Sequence, residues 1–248
     1  MKKFRTTLGF AVAGLALLVA PALAGSFGHS SLPPGRQSDP SLFDINAVTI
    51  TQSASGAIVS LNSVSCNNGI GHTDNSYIRR FKLATDHGIL TAFTVSQVSF
   101  GIEEASSGSG GGQPMSVRLY TIPTAAPLTF ANLTLIGTTG SFNVPDESLI
   151  AHTVNVAGVV AAPVALDLVV EMFTPDGQAA GNLIFVGSNP NGQTRPSYLA
   201  AALCGVNQPT DTAALGFPGM HIVMGVTGSE NPTATTSNSW GRVKSLYR

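Results

Sequence analysis

Short runs in which apolar and polar residues alternate, each closed by a cluster of glycine, proline, asparagine or serine, recur along most of this chain and leave few folds open to it. Residues 115–122 place Met115, Val117 and Leu119 on one side and Ser116, Arg118 and Tyr120 on the other. Residues 165–173 set Leu166, Leu168, Val170 and Met172 against Asp167 and Glu171. They stop at Thr174-Pro175-Asp176-Gly177, where proline sets an early turn dihedral and glycine a late one. Successive side chains of a strand point to opposite faces, so each run reads as a strand whose apolar side must be buried against a second layer.

The centre of the pattern is the stretch from Asp74 to Glu104. Its first half puts Tyr77, Phe81 and Leu83 on one face, and its second half aligns Val98, Phe100 and Ile102. Further strands are predicted at residues 57–64, 133–137, 140–144, 150–156, 183–187 and 221–226. Only residues 198–203, through Leu199-Ala200-Ala201-Ala202-Leu203, tolerate a helix. Strand after strand without an alternating helix predicts an all-β fold, an antiparallel two-sheet sandwich of jelly-roll type.

The chain begins Met1-Lys2-Lys3-Phe4-Arg5, runs apolar from Leu8 to Leu23 and reaches Ala22-Leu23-Ala24, the pattern of a secretory signal cut after Ala24. Removing Lys2, Lys3 and Arg5 leaves 9 basic against 13 acidic residues, a net charge of −4. Such a surface offers nucleic acid and anionic lipid no electrostatic attraction. No later run is long and apolar enough to span a membrane in the mature chain. The expected location is therefore outside the cell. Cys66 and Cys204 are the only cysteines, and an oxidising destination predicts a disulfide between them.

Residues 25–48, with Pro33-Pro34-Gly35 and Asp39-Pro40, read as an extended leader to a β domain over 49–228. Ser106 to Gly112 carries four glycines but lacks the Lys-Ser/Thr and the helix of a phosphate loop, so it reads as a mobile hairpin connection. Residues 229–239 form a polar linker, and residues 240–248 a tail in which Trp240, Val243, Leu246 and Tyr247 share one helical face.

Several segments together resemble a domain of secreted and surface-anchored bacterial proteins. They include His72-Thr73-Asp74-Asn75-Ser76-Tyr77, Phe100-Gly101-Ile102-Glu103, Val117-Arg118-Leu119-Tyr120, Val169-Val170-Glu171-Met172-Phe173 and Gly216-Phe217-Pro218-Gly219-Met220-His221. The resemblance covers nearly all of residues 49–228. It implies a β-sandwich similar to galactose-binding-like and protease-associated jelly-roll domains, modules that bind or accompany something and do not catalyse.

The residues themselves show no Gly-x-Ser-x-Gly elbow, no His-Glu-x-x-His and no clustered Cys/His spacing, and the five histidines are scattered. Glu103 and Glu104, adjacent in a strand, point to opposite faces and cannot form a glycosidase pair with each other. The expectation is a protein without catalytic residues. Asp74 and Asn75, with the carbonyls of the 67–73 turn, are candidate oxygen ligands for a structural Ca²⁺. Rings beside amides and guanidines are candidates for a sugar: Tyr77, Tyr120 and Tyr198 with Asn75, Arg79, Arg118, Asn189 and Gln193. The function expected is a secreted binding or adhesion module for glycan or a cell-envelope surface. The alternatives are a structural subunit docking another secreted protein through edge strands or the tail, and an extracellular hydrolase.

Overall fold

A computed structural model describes residues 25–38 and 48–230. The expected signal (1–24), most of the expected linker and the tail (240–248) lie outside the described residues. In chain order the strands are β1 (Ser26–Gly28), β2 (Val48–Thr51), β3 (Ser65–Asn67), β4 (Asn75–Phe81), β5 (Phe93–Ser106), β6 (Gln113–Pro123), β7 (Thr134–Thr138) and β8 (Phe142–Val144). Then come β9 (Glu147–Val160), β10 (Leu166–Thr174), β11 (Leu183–Val186), β12 (Ser188–Asn189), β13 (Ser197–Ala201), β14 (Val206–Asp211), β15 (His221–Ile222) and β16 (Met224–Glu230). Sheet I has the order β14-β13-β4-β10-β6-β7, with β8 also on β6. In sheet II, β9 lies on one side of β5, while β16 and then β11 share the other, and β2 flanks β16. All pairings are antiparallel, and the chain alternates between the sheets as a jelly roll does.

The alternation read from the sequence sorts the side chains. Leu168, Val170 and Met172 of β10 and Met115, Val117 and Leu119 of β6 point inward, where they meet Val95, Val98, Phe100 and Ile102 of β5. Each such buried side chain contributes about 1.5–3 kcal/mol of hydrophobic stabilisation. The opposite parity points outward from sheet I, and part of that outer face is covered as well. Residues 124–133 fold back over it, laying Ala126, Leu128 and Leu133 on Ile78, Ile122 and Val169. Arg80 anchors this flap: its Nε bonds Asp167 at 2.7 Å, and its terminal nitrogens donate to the carbonyls of Pro123, Thr124 and Ala126.

Several local expectations change. Residues 57–64 form no strand, because their backbone groups are taken by neighbours other than a ladder. Val59 N–H donates to Ser188, Ser60 N–H to Arg36, and Leu61 and Ser63 N–H to the Glu103 carboxylate. Leu61 accordingly takes φ 62°. The leader is not free over 25–38: β1 pairs with β3, Ser30 bonds Glu103, and Ser31 N–H donates to Glu104. The glycine-rich loop is a crossover from sheet II to sheet I, not a hairpin. Residues 198–203 are strand β13 running into a single 3-10 turn, and β14, which contains Pro209, escaped notice because an edge strand can carry a proline and polar side chains. Where Leu83 was expected to prolong β4, a short helix α1 (Leu83–His87) turns it into the core and ends at Gly88 in the left-handed region. Cys66 and Cys204, 138 residues apart, form the expected disulfide. No helix among the described residues is long and apolar enough to cross a membrane.

Candidate functional site

Antiparallel register builds a row across the outer face of sheet I. Glu171 of β10 faces Arg118 of β6 on one side and Ile78 of β4 on the other; Arg118 in turn faces Thr138 of β7. One step along, Phe173 stands between Ser76 and Ser116. Residues two apart share a face, so Tyr120, Arg118 and Ser116 run together along β6.

The centre of the row is a carboxylate with almost no exposure. Glu171 Oε1 accepts the Ser76 hydroxyl at 2.6 Å, while Oε2 accepts the Tyr120 hydroxyl at 2.7 Å and one Arg118 N–H at 3.3 Å. The Arg118 guanidinium lies over the Phe173 ring, 4.0 Å from its centroid, so it is both paired and stacked. Burial and the neighbouring carboxylate push the Tyr120 phenol up to about 12, which keeps it a hydrogen-bond donor. Two depressions flank the row. One, of about 320 Å³, is lined by Arg118, Phe173, Ser116, Thr138, Ser141 and Pro175 among others. The other, of about 80 Å³, is lined by Ser76, Asp74, Phe130, Ala200, Val206 and Asn207 among others.

The residues singled out in the sequence divide between this face and the interior. Tyr120, Tyr198 and Arg118 are on the outer face; the two tyrosines pack beside Ile78 and Val169. Tyr77 is not a surface ring. It shares the parity of Phe81, lies in the core, and donates its hydroxyl to the Val64 carbonyl. Asn75 is also interior, its Oδ1 accepting Cys66 N–H and its Nδ2 donating to the carbonyls of Cys66 and Thr73, so it tethers the turn and has no oxygen turned toward a cation. Asp74 stays beside the smaller depression. Asn189 is buried and donates to Ser55 and Ala57 carbonyls.

Arg79 and Gln193 are brought together, 2.5 Å between Nη1 and Oε1, in a buried knot with the Arg195 carbonyl and Ser53. Burial lowers the Arg79 guanidinium to about 9. Glu171 and Phe173 were missed as site residues. The available signal was the outward parity of Glu-x-Phe on β10 beside Arg-x-Tyr on β6, a charge and a ring on each of two adjacent strands.

Reactive groups do not gather. His152 bonds Glu147, but no serine, threonine or cysteine side chain bonds His152 among the described residues. Glu103 and Glu104 hold the leader at sheet II, whereas Glu171 is on sheet I. No group of three His, Cys, Asp or Glu suited to a metal occurs among the described residues.

No protein-family model matches the chain, and no curated protein matches it. Among solved structures it is similar to the cysteine protease and lectin-like domains of Cwp84, a surface layer associated protein of Clostridium difficile. The identity is 13%, the TM-score 0.42, and the match covers 69% of this chain and 38% of that one. The chain therefore spans well under half of that neighbour. What the coordinates establish is the class, an all-β antiparallel sandwich closed by a disulfide.

Proposed function

We propose that this is a secreted, non-catalytic binding module that docks a glycan or a cell-envelope surface on the outer face of sheet I. One observation carries the reading: the face that residues 124–133 leave open holds a stacked and paired cation, Arg118 on Phe173 and Glu171, between two depressions edged with hydroxyls. Sites for sugars combine a few fixed polar groups with apolar and aromatic surface, and those are the components here. The secretory pattern at residues 1–24 and the disulfide support an extracellular setting. A glycan array probed with the protein, with and without Ca²⁺, tests the reading. Binding that Phe173→Ala weakens tenfold or more, at unchanged melting temperature, is the result expected. A blank array, or binding indifferent to Phe173, removes it.

A second reading, a subunit that docks another protein, is favoured by one feature. Among the described residues strand β9 pairs only with β5, and its Ile150, Ala151, Thr153 and Asn155 are exposed. An open, nearly uncharged edge is a template for strand addition. Sedimentation at rising concentration and pull-down of strand-mimicking peptides test it; a strictly monomeric, peptide-indifferent protein counts against it.

A further inference from the structure

We infer that the larger depression takes a carboxylate-bearing sugar, a hexuronic acid residue within a glycan, with Arg118 as the group that reads its carboxylate. The inference rests on the binding-module reading and names the ligand class within it.

A guanidinium carries five N–H donors and no acceptor. Arg118 gives a long bond of 3.3 Å to Glu171 and also interacts with the Tyr120 oxygen, whose hydroxyl bonds the same carboxylate. Phe173 covers one face of its plane, and the planar fork is held ready by that stack. The two oxygens of Glu171 also accept the hydroxyls of Ser76 and Tyr120 at 2.6 and 2.7 Å, so its acceptor sites call on only one N–H of the Arg118 fork. Among the described residues the other donors of the fork have no assigned acceptor, in a depression that Arg118 itself lines.

The other walls agree. Among the described residues the Ser116 and Ser141 hydroxyls make no protein hydrogen bond, Pro175 supplies apolar surface, and no acidic residue lines the depression. A volume of about 320 Å³ falls at the small end of ligand sites, enough for one sugar ring. A wall rich in donors and free of carboxylates is complementary to an acceptor-only group, and a bidentate Arg–carboxylate pair is the strongest form of that match. The ring hydroxyls of the sugar meet Ser116 and Ser141.

Titration of ¹⁵N-labelled protein with trigalacturonic acid, its methyl triester and acetate separates the possibilities. The acid is expected to shift the amides of Ser116, Arg118, Gly140 and Ser141 and to bind at least tenfold tighter than the triester, with acetate weaker still. Arg118→Gln should abolish that preference, and Arg118→Lys, which keeps the charge but not the fork, should retain only part of it. If Arg118→Gln fails to fold, the acid-to-ester ratio on the unmodified protein and the Lys variant still decide. Equal binding of acid and triester at these amides overturns the carboxylate assignment and leaves the glycan reading standing. Acetate matching the acid overturns the sugar assignment. Acid binding that shifts other amides, or no acid binding while neutral glycans bind, overturns the site; no saccharide binding at all removes both the inference and the reading beneath it.

Discussion

The Tyr120 hydroxyl donates to Glu171 Oε2 at 2.7 Å, joining the middle strands of sheet I through a carboxylate that solvent scarcely reaches. Removing the donor leaves a buried acceptor short of one partner, which costs about 1–3 kcal/mol. Tyr120→Phe should therefore lower the unfolding free energy by that amount, read as a lower urea midpoint at an unchanged m-value. A variant as stable as the parent would show that the Ser76 and Arg118 bonds suffice.

Arg80 and Asp167 form the most buried pair of opposite charges on the same face, with side-chain exposures of 12% and 1%. Breaking a buried pair from one side strands the other charge, a loss of about 3–5 kcal/mol. Arg80→Ala also frees the carbonyls of residues 123, 124 and 126, so the flap over Ile78 and Val169 should become the first site of limited proteolysis. Cleavage elsewhere first would contradict its role as the flap's anchor.

Histidines give the fold an acid-sensitive limb. Burial holds His72 below its ordinary 6.5, although both ring nitrogens face carbonyl oxygens, at 2.8 Å from Asn182 and 3.0 Å from Pro175. Burial lowers His87 and His221 as well. Unfolded histidines take up protons that the folded ones resist, so this share of stability is complete above the unfolded value and is lost as pH falls below about 6.5. Denaturation midpoints should decline from pH 7.5 to 5.5, and His72→Gln should flatten the slope. A midpoint that rises on acidification would mean that the two carbonyls outweigh burial and favour the imidazolium.

The disulfide spans 138 residues, and in the chain-entropy model closing so long a loop stabilises by roughly 4–5 kcal/mol. The double variant Cys66→Ser/Cys204→Ser should lose about 2–5 kcal/mol in calorimetry, and reductant should affect the parent alone. Equal reductant sensitivity in both proteins would place the effect elsewhere.

Glycine sets the approach of the sheets at one corner. A Cβ on Gly137 of β7 would overlap the Ala157 carbonyl oxygen of β9, and backbone cannot move aside as a flexible side chain does. Gly137→Ala should cost about 1–3 kcal/mol, read from the melting temperature. A neutral result would mean that β7 can shift outward without loss.

Period-two alternation made the sandwich legible, and the cysteine pair followed from there being only two. What the pattern could not sort was which polar residues on a strand face water. Tyr77 and Arg79 have the parity of Phe81, so the inward face was already marked, yet a guanidinium on that face makes sense only once Gln193 and Ser53 arrive from distant segments. Residues 57–64 alternate acceptably too, but a strand is defined by a partner, and Glu103 with the leader took the backbone donors first. The outer row of sheet I depends on register between β6 and β10, set by packing and connection and not by either strand alone.

The attachment of the leader bears on how the molecule comes off the ribosome. Phe27 meets the Phe217 ring edge-on at 5.7 Å, and Ser30 bonds Glu103, so the segment synthesised early waits for groups made later. Synthesis runs from the amino end, yet residues 25–38 can be seated only after nearly the whole β domain has emerged. For residues 25–38 birth order and closing order are reversed: made before the β domain, they complete their contacts among the last.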